Sequence, residues 1–155
     1  MRDFRKLKVW EKAHHLTLQV YRITKNFPSD ERFGLTVQLR RAAASVPTNI
    51  AEGCGRDSER ELARFMSIAA GSASEVEYQL LLACDLNYIQ DEKYRELNQQ
   101  VNEVKRMLNS FIQKLTADMI DSCQEKKVIR LPFIKIVQKE IYNNNFPGHW
   151  KRRDH

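Results

Sequence analysis

The stretch LTVQLRRAAASVPTNIAEGCG, residues 35–55, contains the clearest helical signal of the chain. Its apolar residues recur at intervals of four, three, four and four, which places them on one helical face: Leu35, Leu39, Ala42, Val46 and Ile50. Pro47 falls inside this face. Because its ring removes a backbone donor and crowds the carbonyl of Ala43, we expect a kink or a break there. Gly53 and Gly55 can adopt the left-handed backbone that ends a helix, so the helix is predicted to stop near them.

Charged residues in this stretch are few, and each requires an interpretation. Arg40 and Arg41 point in directions 100° apart on a helix, so both cannot face the core. At least one is predicted to form a structural ion pair, and the other could reach a subunit interface or a phosphate. Glu52 comes where the helix ends, and a partnered structural carboxylate is favoured over a catalytic acid.

A first helix is predicted before this stretch, from about Arg5 to Lys25. Its buried face consists of apolar residues at helical spacing: Trp10, Ala13, Leu16, Val20 and Ile23. Phe27 and Pro28 end this helix, and Ser29 or Asp30 can cap the next one.

Two further helices follow the glycines. Ser58 and Glu61 have capping-box spacing, and the third helix continues with alternating intervals of four and three: Leu62, Met66, Ala69, Ala73, Val76, Leu80 and Ala83. Gly71 and Ser72 lie in its middle and predict a close helix–helix crossing. Asp91 can cap a fourth helix, whose apolar series again alternates: Tyr94, Leu97, Val101, Val104, Leu108, Phe111 and Leu115. Short connections imply antiparallel neighbours, so the chain is predicted to be all-α, an up-down-up-down four-helix bundle.

The end of the chain departs from this pattern. From Asp118 onward the heptad fails, and residues 125–127 interrupt it with charge. We therefore assign residues 1–117 to the bundle, and residues 118–155 to the end of the fourth helix and a C-terminal extension. Within the extension, residues 128–142 favour a short amphipathic helix, and residues 143–155 favour turns and a loose end.

Three segments together resemble the 23S rRNA intervening-sequence proteins, a family of four-helix-bundle proteins: WEKAHHLTLQVYRITKNFP, LTVQLRRAAASVPTNIAEG and FMSIAAGSASEVE. The resemblance covers roughly Phe4 to Ala117. It implies an antiparallel bundle assembled as a homopentamer, and kinship with the basic accessory protein that binds nucleic acid beside the reverse transcriptase of diversity-generating retroelements. It implies no catalytic residues and no cofactor.

The charge of the first helix favours an anionic partner. The whole chain has a net charge of +6, while residues 1–26 contain seven lysines and arginines against two acids. A polar stripe recurs at helical spacing about 200° from the apolar face: Arg5, Lys8, Lys12, His15, Gln19 and Arg22. A purely solvated face would mix the signs of its charges, so this stripe is a candidate surface for phosphates.

Several other functions are disfavoured. Glu11-Lys12-Ala13-His14 is a single Glu-x-x-His motif, whereas a di-iron bundle needs two. No arginine precedes a histidine with the spacing of bundle ribonucleases, and no phosphate-binding glycine loop occurs. Widely spaced cysteines (Cys54, Cys84 and Cys123) predict a reducing compartment. Neither a secretory signal nor a membrane span is apparent, so we expect a cytoplasmic protein without membrane contacts.

These observations predict a non-catalytic, homo-oligomeric bundle that binds RNA or DNA through backbone phosphates. The first candidate residues are Arg5, Lys8, Lys12 and Arg22, followed by Arg40 and Arg41. No metal or cofactor is expected, and a reverse transcriptase or another protein could be a further partner. The alternative is a structural or protein-interaction scaffold whose charge serves only solubility.

Overall fold

The computed structural model describes the backbone of residues 2–143 and the side chains of residues 2–122. The described residues fall into two compact units, one that ends at Met119 and one that begins at Ile120. Its long helices are α1 (Lys8–Ile23), α2 (Leu35–Cys54), α3 (Glu59–Asp85) and α4 (Asp91–Asn143). A short 3₁₀ turn at Phe4–Lys6 precedes α1, and two more at Thr24–Asn26 and Ser29–Arg32 lie between α1 and α2. Residues 2–143 contain no strand, which confirms the all-α prediction.

Side-chain contacts show that the first unit is an antiparallel four-helix bundle. On α1, Lys12 pairs with Glu103 of α4, whereas the later residue Gln19 contacts the earlier residues Gln100 and Lys93. This reversal of order requires antiparallel α1 and α4. α2 packs against both α1 and α3, and α4 also packs on α3 through an ion pair between its Lys105 and Glu77. Each helix therefore neighbours the next, and α4 closes the bundle on α1.

The core follows the predicted apolar positions closely. All five apolar residues that define the α2 face are buried, and so are all seven of the α3 series. On α4, Tyr94 and Phe111 are only half-buried at the edge of the core, and on α1 the same holds for Trp10 and Ile23. The core divides into two clusters along the bundle, one around Leu39 and one around Ile50.

α2 runs through Pro47 without a break, so of the two predicted outcomes, a kink or a break, the break is wrong. Proline cannot donate to the carbonyl of Ala43 four residues earlier. The hydroxyl of Thr17, on α1, donates to that carbonyl at 2.8 Å, and it also lies 2.9 Å from the carbonyl of Ala13 in its own helix. A neighbouring helix thus supplies the donor that the proline removed.

The glycines of α2 act differently from their predicted role. No glycine in the described residues has a positive φ, and Gly55, which follows the last residue of α2, has φ −81° and ψ −7°. The prediction of a left-handed helix end here is therefore wrong. Gly53 is buried, and a Cβ added to it would lie 2.9 Å from Cβ of Phe65 and 3.2 Å from Cδ1 of Leu62. This glycine allows α2 and α3 to approach closely.

Two helix ends also differ from prediction. α1 is shorter than expected, because extended backbone at Leu7 separates it from the first 3₁₀ turn. Ser29 and Asp30 do not cap α2. Instead, the carboxylate of Glu31 accepts from the backbone N–H of Leu35 at 2.7 Å. The other Glu31 oxygen accepts from the hydroxyl of Tyr88 at 3.2 Å, which ties this cap to the loop between α3 and α4.

The two ends of α3 have recognisable caps. Ser58 accepts from the backbone N–H of Glu61 at 3.2 Å, which confirms the predicted serine cap. At the other end, Asn87 has φ +60°. The backbone N–H of Tyr88 donates to Ala83, and that of Asn87 donates to Cys84. This is a Schellman motif, in which asparagine occupies the left-handed position that usually belongs to glycine.

Two further expectations on α3 and α4 are corrected by the structure. The close helix–helix contact predicted at Gly71 and Ser72 involves Ser72, which is buried and whose hydroxyl lies 3.0 Å from that of Ser45 on α2. Gly71 is exposed, and a Cβ added to it would meet no atom within 4 Å, so it takes no part in this contact. α4 continues past the charged residues 125–127 and past Pro132 to Asn143, rather than giving way to a separate short helix. The turns and loose end predicted for residues 144–155 lie outside the described residues.

Candidate nucleic-acid interface

Five of the six residues of the predicted stripe lie on the side of α1 that faces α4, whereas Arg5 lies in the 3₁₀ turn before this helix. Lys12 and Gln19 turn toward α4, while Arg22 and His15 lie farther out toward solvent. Gln19 is only 7% exposed, so the expectation that the whole stripe opposes the core is wrong at this residue. The apolar face of α1 is centred between α2 and α4, which brings part of the stripe against a neighbouring helix.

Both lysines that were predicted to bind phosphate form ion pairs with carboxylates. Lys8 Nζ lies 2.9 Å from Glu11 Oε2, one turn along α1. Lys12 Nζ lies 2.9 Å from Glu103 Oε1 on α4. The hydrogen bond and the positive charge of Lys8 lower the pKa of Glu11. All four side chains are substantially exposed, so these ion pairs are screened by solvent and can exchange for contacts with another anion.

A polar network continues this contact farther along the two helices. Gln19 donates to Gln100 Oε1 at 3.0 Å and accepts from Lys93 Nζ at 3.0 Å. Lys93 also pairs with Glu96 at 2.8 Å, and Gln100 donates to the same carboxylate at 3.3 Å. The network joins α1 to α4 and fixes Lys93 beside the groove between them.

The two arginines of the stripe have freer side chains. Arg5 lies 3.9 Å from Asp3, the longest ion pair among the described residues, and its guanidinium lies 4.6 Å from the centre of the Phe4 ring. Arg22 is exposed and forms no ion pair with any described residue. These two arginines are the stripe cations that would give up the weakest contacts within the subunit on binding a phosphate.

Arg40 and Arg41 lie on different sides of α2, as their separation of 100° around the helix requires. Arg40 is half-buried between α1 and α2, where its Nε donates to the hydroxyl of Thr24 at 2.7 Å and its guanidinium lies 5.1 Å from the centre of the Tyr21 ring. Its partners are thus a hydroxyl and an aromatic ring rather than the predicted acid. Arg41 is exposed, and it lines a cleft between α2 and α3. The groove at α1 and α4 therefore contains neither arginine of the pair.

Glu52 is an exposed carboxylate that pairs with Arg56 one turn later. This contact agrees with the structural role preferred for Glu52. The guanidinium of Arg56 also lies over the ring of Phe65, 4.8 Å from its centre, so this side chain contacts α3 as well as Glu52.

The groove between α1 and α4 consists of two adjoining hollows of about 490 and 290 Å³ that share His15. Their charged side chains are four cations and three carboxylates: Lys8, Lys12, Arg22, Lys93, Glu11, Glu96 and Glu103. Sequence reasoning missed Lys93, which is the groove cation contributed by α4. Its position four residues before the buried Leu97 places it at the edge of the core, and this was the available signal.

The part of the chain that the structure describes contains neither a metal-ligand cluster nor a membrane span. No three His, Cys, Asp or Glu side chains among these residues are grouped so that they could hold a metal ion. None of the helices among the described residues is long and apolar enough to cross a bilayer. The histidine of the Glu-x-x-His motif, His14, stacks on Trp10 with ring centres 5.2 Å apart, while its glutamate pairs with Lys8.

The fold and the groove define an antiparallel four-helix bundle whose first helix carries an excess of positive charge. The family profile of the 23S rRNA-intervening sequence proteins matches residues 5–110. The chain belongs to this family. A similar crystal structure is that of a protein of unknown function from the S23 ribosomal protein family of Bacteroides thetaiotaomicron VPI-5482. It has 26% sequence identity and a TM-score of 0.64, and the match covers 68% of this chain and 95% of that one. No curated protein matches the chain significantly.

Proposed function

We propose that this protein is a non-catalytic, homo-oligomeric bundle that binds RNA or DNA through backbone phosphates at the groove between α1 and α4. The observation that supports this function best is the charge of α1 and its flanks, because residues 1–26 contain seven lysines and arginines but only two acids. Ion pairs with described residues involve Arg2, Arg5, Lys8 and Lys12, whereas Lys6, Arg22 and Lys25 form none.

The proposed contacts are electrostatic and independent of base sequence. Phosphates attract lysine and arginine side chains without reporting which bases they carry. Arg22 would make the strongest contact in the groove, since Lys8 and Lys12 must first exchange a carboxylate for a phosphate. Arg5 lies in the 3₁₀ turn before α1 and does not line the groove, so it would contact a phosphate beyond the end of the groove. Assembly would multiply this surface, because several weak contacts held in one ring act at high effective concentration. A pentamer is the assembly that the family resemblance implies.

A scaffold function is the second candidate, and the ion pairs of Lys8 and Lys12 favour it. Carboxylates neutralise these two lysines within the subunit, which reduces the charge available to an outside anion. On this alternative, the excess charge of α1 serves solubility, and the partner would be a protein such as a reverse transcriptase.

A binding assay on four substitutions distinguishes the two functions. Arg5→Gln, Lys8→Gln, Lys12→Gln and Arg22→Gln, combined in one chain, should weaken binding to unrelated RNA and DNA sequences by similar factors. A control chain with Arg60→Gln and Arg106→Gln, on α3 and α4, should bind like the wild type. Both chains should keep the helical circular dichroism of the wild type, because all six side chains are exposed. Failure of the wild-type protein to bind either nucleic acid at about 50 mM salt would favour the scaffold.

A further inference from the structure

His14 places an exposed aromatic ring at the edge of the groove between α1 and α4. Its imidazole is nearly parallel to the indole of Trp10, one helical turn earlier, with an angle of 3° between the planes and 5.2 Å between the ring centres. The ring nitrogens of His14 form no hydrogen bond with any residue that the structure describes. The orientation of this ring therefore comes from its stack on Trp10 and not from a polar partner.

Trp10 connects the stack to the core of the bundle. It is half-buried and packs against the core cluster around Ile50, and its ring centre lies 4.9 Å from that of Phe4. A ring that is already held in one orientation loses little conformational freedom when a ligand contacts it. The bundle thus prepares the His14 ring for contact with a further planar group.

The other face of the His14 ring is directed into the larger hollow of the groove. Side chains four residues apart on a helix lie one above the other, so the ring face away from Trp10 points along α1 toward Leu18. His14 and Leu18 both line the hollow of about 490 Å³, and Leu18 is 42% exposed. Lys8 and Lys12 line the same hollow. An aromatic face, an aliphatic side chain and two cations therefore meet there.

We propose that this hollow takes an unpaired nucleobase, which stacks on the free face of His14 while Lys8 and Lys12 contact the phosphates beside it. The inference rests on the proposed function and names its substrate class, a single strand or an unpaired segment of RNA or DNA. Inside a duplex, neighbouring bases cover both faces of each base, so an unpaired base is needed to offer a face to the ring. Aromatic rings beside a basic groove are typical of proteins that bind single strands without base specificity.

Stacking also answers the weakness of the two lysines. Lys8 and Lys12 must exchange Glu11 and Glu103 for a phosphate, whereas the free face of His14 has no partner to give up among the described residues. The base would therefore add affinity that these ion pairs do not reduce.

Two strands of equal charge test the base site. One is an oligothymidylate of about 15 nucleotides, and the other has the same length with every base replaced by an abasic analogue. The wild-type protein should bind the oligothymidylate at least about fivefold more tightly, because only this strand can stack. Oligouridylate in its place distinguishes the source of the base. A preference over the abasic strand in both supports any unpaired base as the ligand, and a preference in one alone identifies RNA or DNA.

Three variants assign the preference to His14. His14→Ala should bring the two affinities close together, whereas His14→Phe, which keeps an aromatic ring, should retain the preference. Tyr78→Ala removes an aromatic ring that is 64% exposed on α3 and should leave the preference unchanged. Damage to the fold would weaken binding to both strands alike, so it would not imitate the loss of preference.

The outcomes separate this inference from the proposed function. Equal wild-type affinities for the oligothymidylate and the abasic strand would overturn the base site and leave the phosphate contacts standing. A preference that His14→Ala does not reduce would overturn the assignment to His14. If the wild type binds neither strand at about 50 mM salt, the proposed function fails and the base site fails with it.

Discussion

Thr17 is the residue that allows Pro47 to lie in the middle of α2. Its hydroxyl reaches from α1 to the Ala43 carbonyl, which proline leaves without its helical donor. Sequence analysis located the proline and the orphaned carbonyl correctly, but the break that it offered as an alternative to a kink does not occur. The compensating donor is 26 residues away in the chain, and no local pattern connects a threonine on one helix to a proline on another.

Thr17→Val should therefore destabilise the bundle by about 1–3 kcal/mol, because the buried Ala43 carbonyl loses its donor. In a Pro47→Ala background the cost should be smaller, since the backbone N–H of residue 47 can then donate to Ala43. Urea denaturation of the two single variants and the double variant measures this coupling.

Thr48→Val is the matched control for this cycle. Thr48 donates to the Ala44 carbonyl within its own helix at an exposed position, and its loss should change stability by less than about 0.5 kcal/mol. Equal costs of Thr17→Val with and without Pro47 would contradict the compensation.

At the scale of the helices, apolar spacing predicts which residues are buried but not which neighbour they meet. The α3 series is buried at every predicted position, because intervals of three and four follow directly from helical geometry. The prediction for Gln19 is wrong because it was made from α1 alone. Its polarity suggested solvent, whereas the positions of Gln100 and Lys93 on α4 make it a buried contact. Roles that depend on packing between helices cannot be read from one helix alone.

Gly53, near the end of α2, and Gly71, in the interior of α3, should respond in opposite directions to alanine. Gly53→Ala would place a methyl group 2.9 Å from Cβ of Phe65, so α2 and α3 must separate, at a cost of about 1–3 kcal/mol. Gly71→Ala adds a methyl group to open space and should stabilise the helix by about 0.5–1 kcal/mol. Urea denaturation at low protein concentration measures both changes. Stabilisation by Gly53→Ala would show that the close approach of these helices is not required.

At the scale of the whole chain, the family resemblance and the compact unit of residues 1–119 concern the bundle rather than the extension. We predict that deletion of residues 126–155 leaves a folded helical oligomer. Circular dichroism, thermal melting and native mass measurement of the truncated chain test this prediction. Unfolding or precipitation of the shortened chain would mean that the extension contributes to the core.

The candidate site could be predicted only in part from the sequence. The excess of cations in the first 26 residues is visible there, and this excess carries the proposed function. Glu103 and Lys93 belong to another helix, so their contacts with Lys12 and Gln19 follow from the bundle and not from any motif. The structure consequently shifts the emphasis among the candidates from the two lysines to Arg22 and Arg5.

The salt dependence of nucleic-acid binding tests the central claim most directly. Each phosphate that a cation neutralises releases counterions, so the logarithm of affinity should fall with the logarithm of salt concentration by roughly 0.7–0.9 per contact. Arg22→Gln should flatten this slope by about that amount for each bound subunit, whereas Arg60→Gln should leave it unchanged. Binding whose slope is the same in the wild type and in Arg22→Gln would contradict the account and place the nucleic acid on another face.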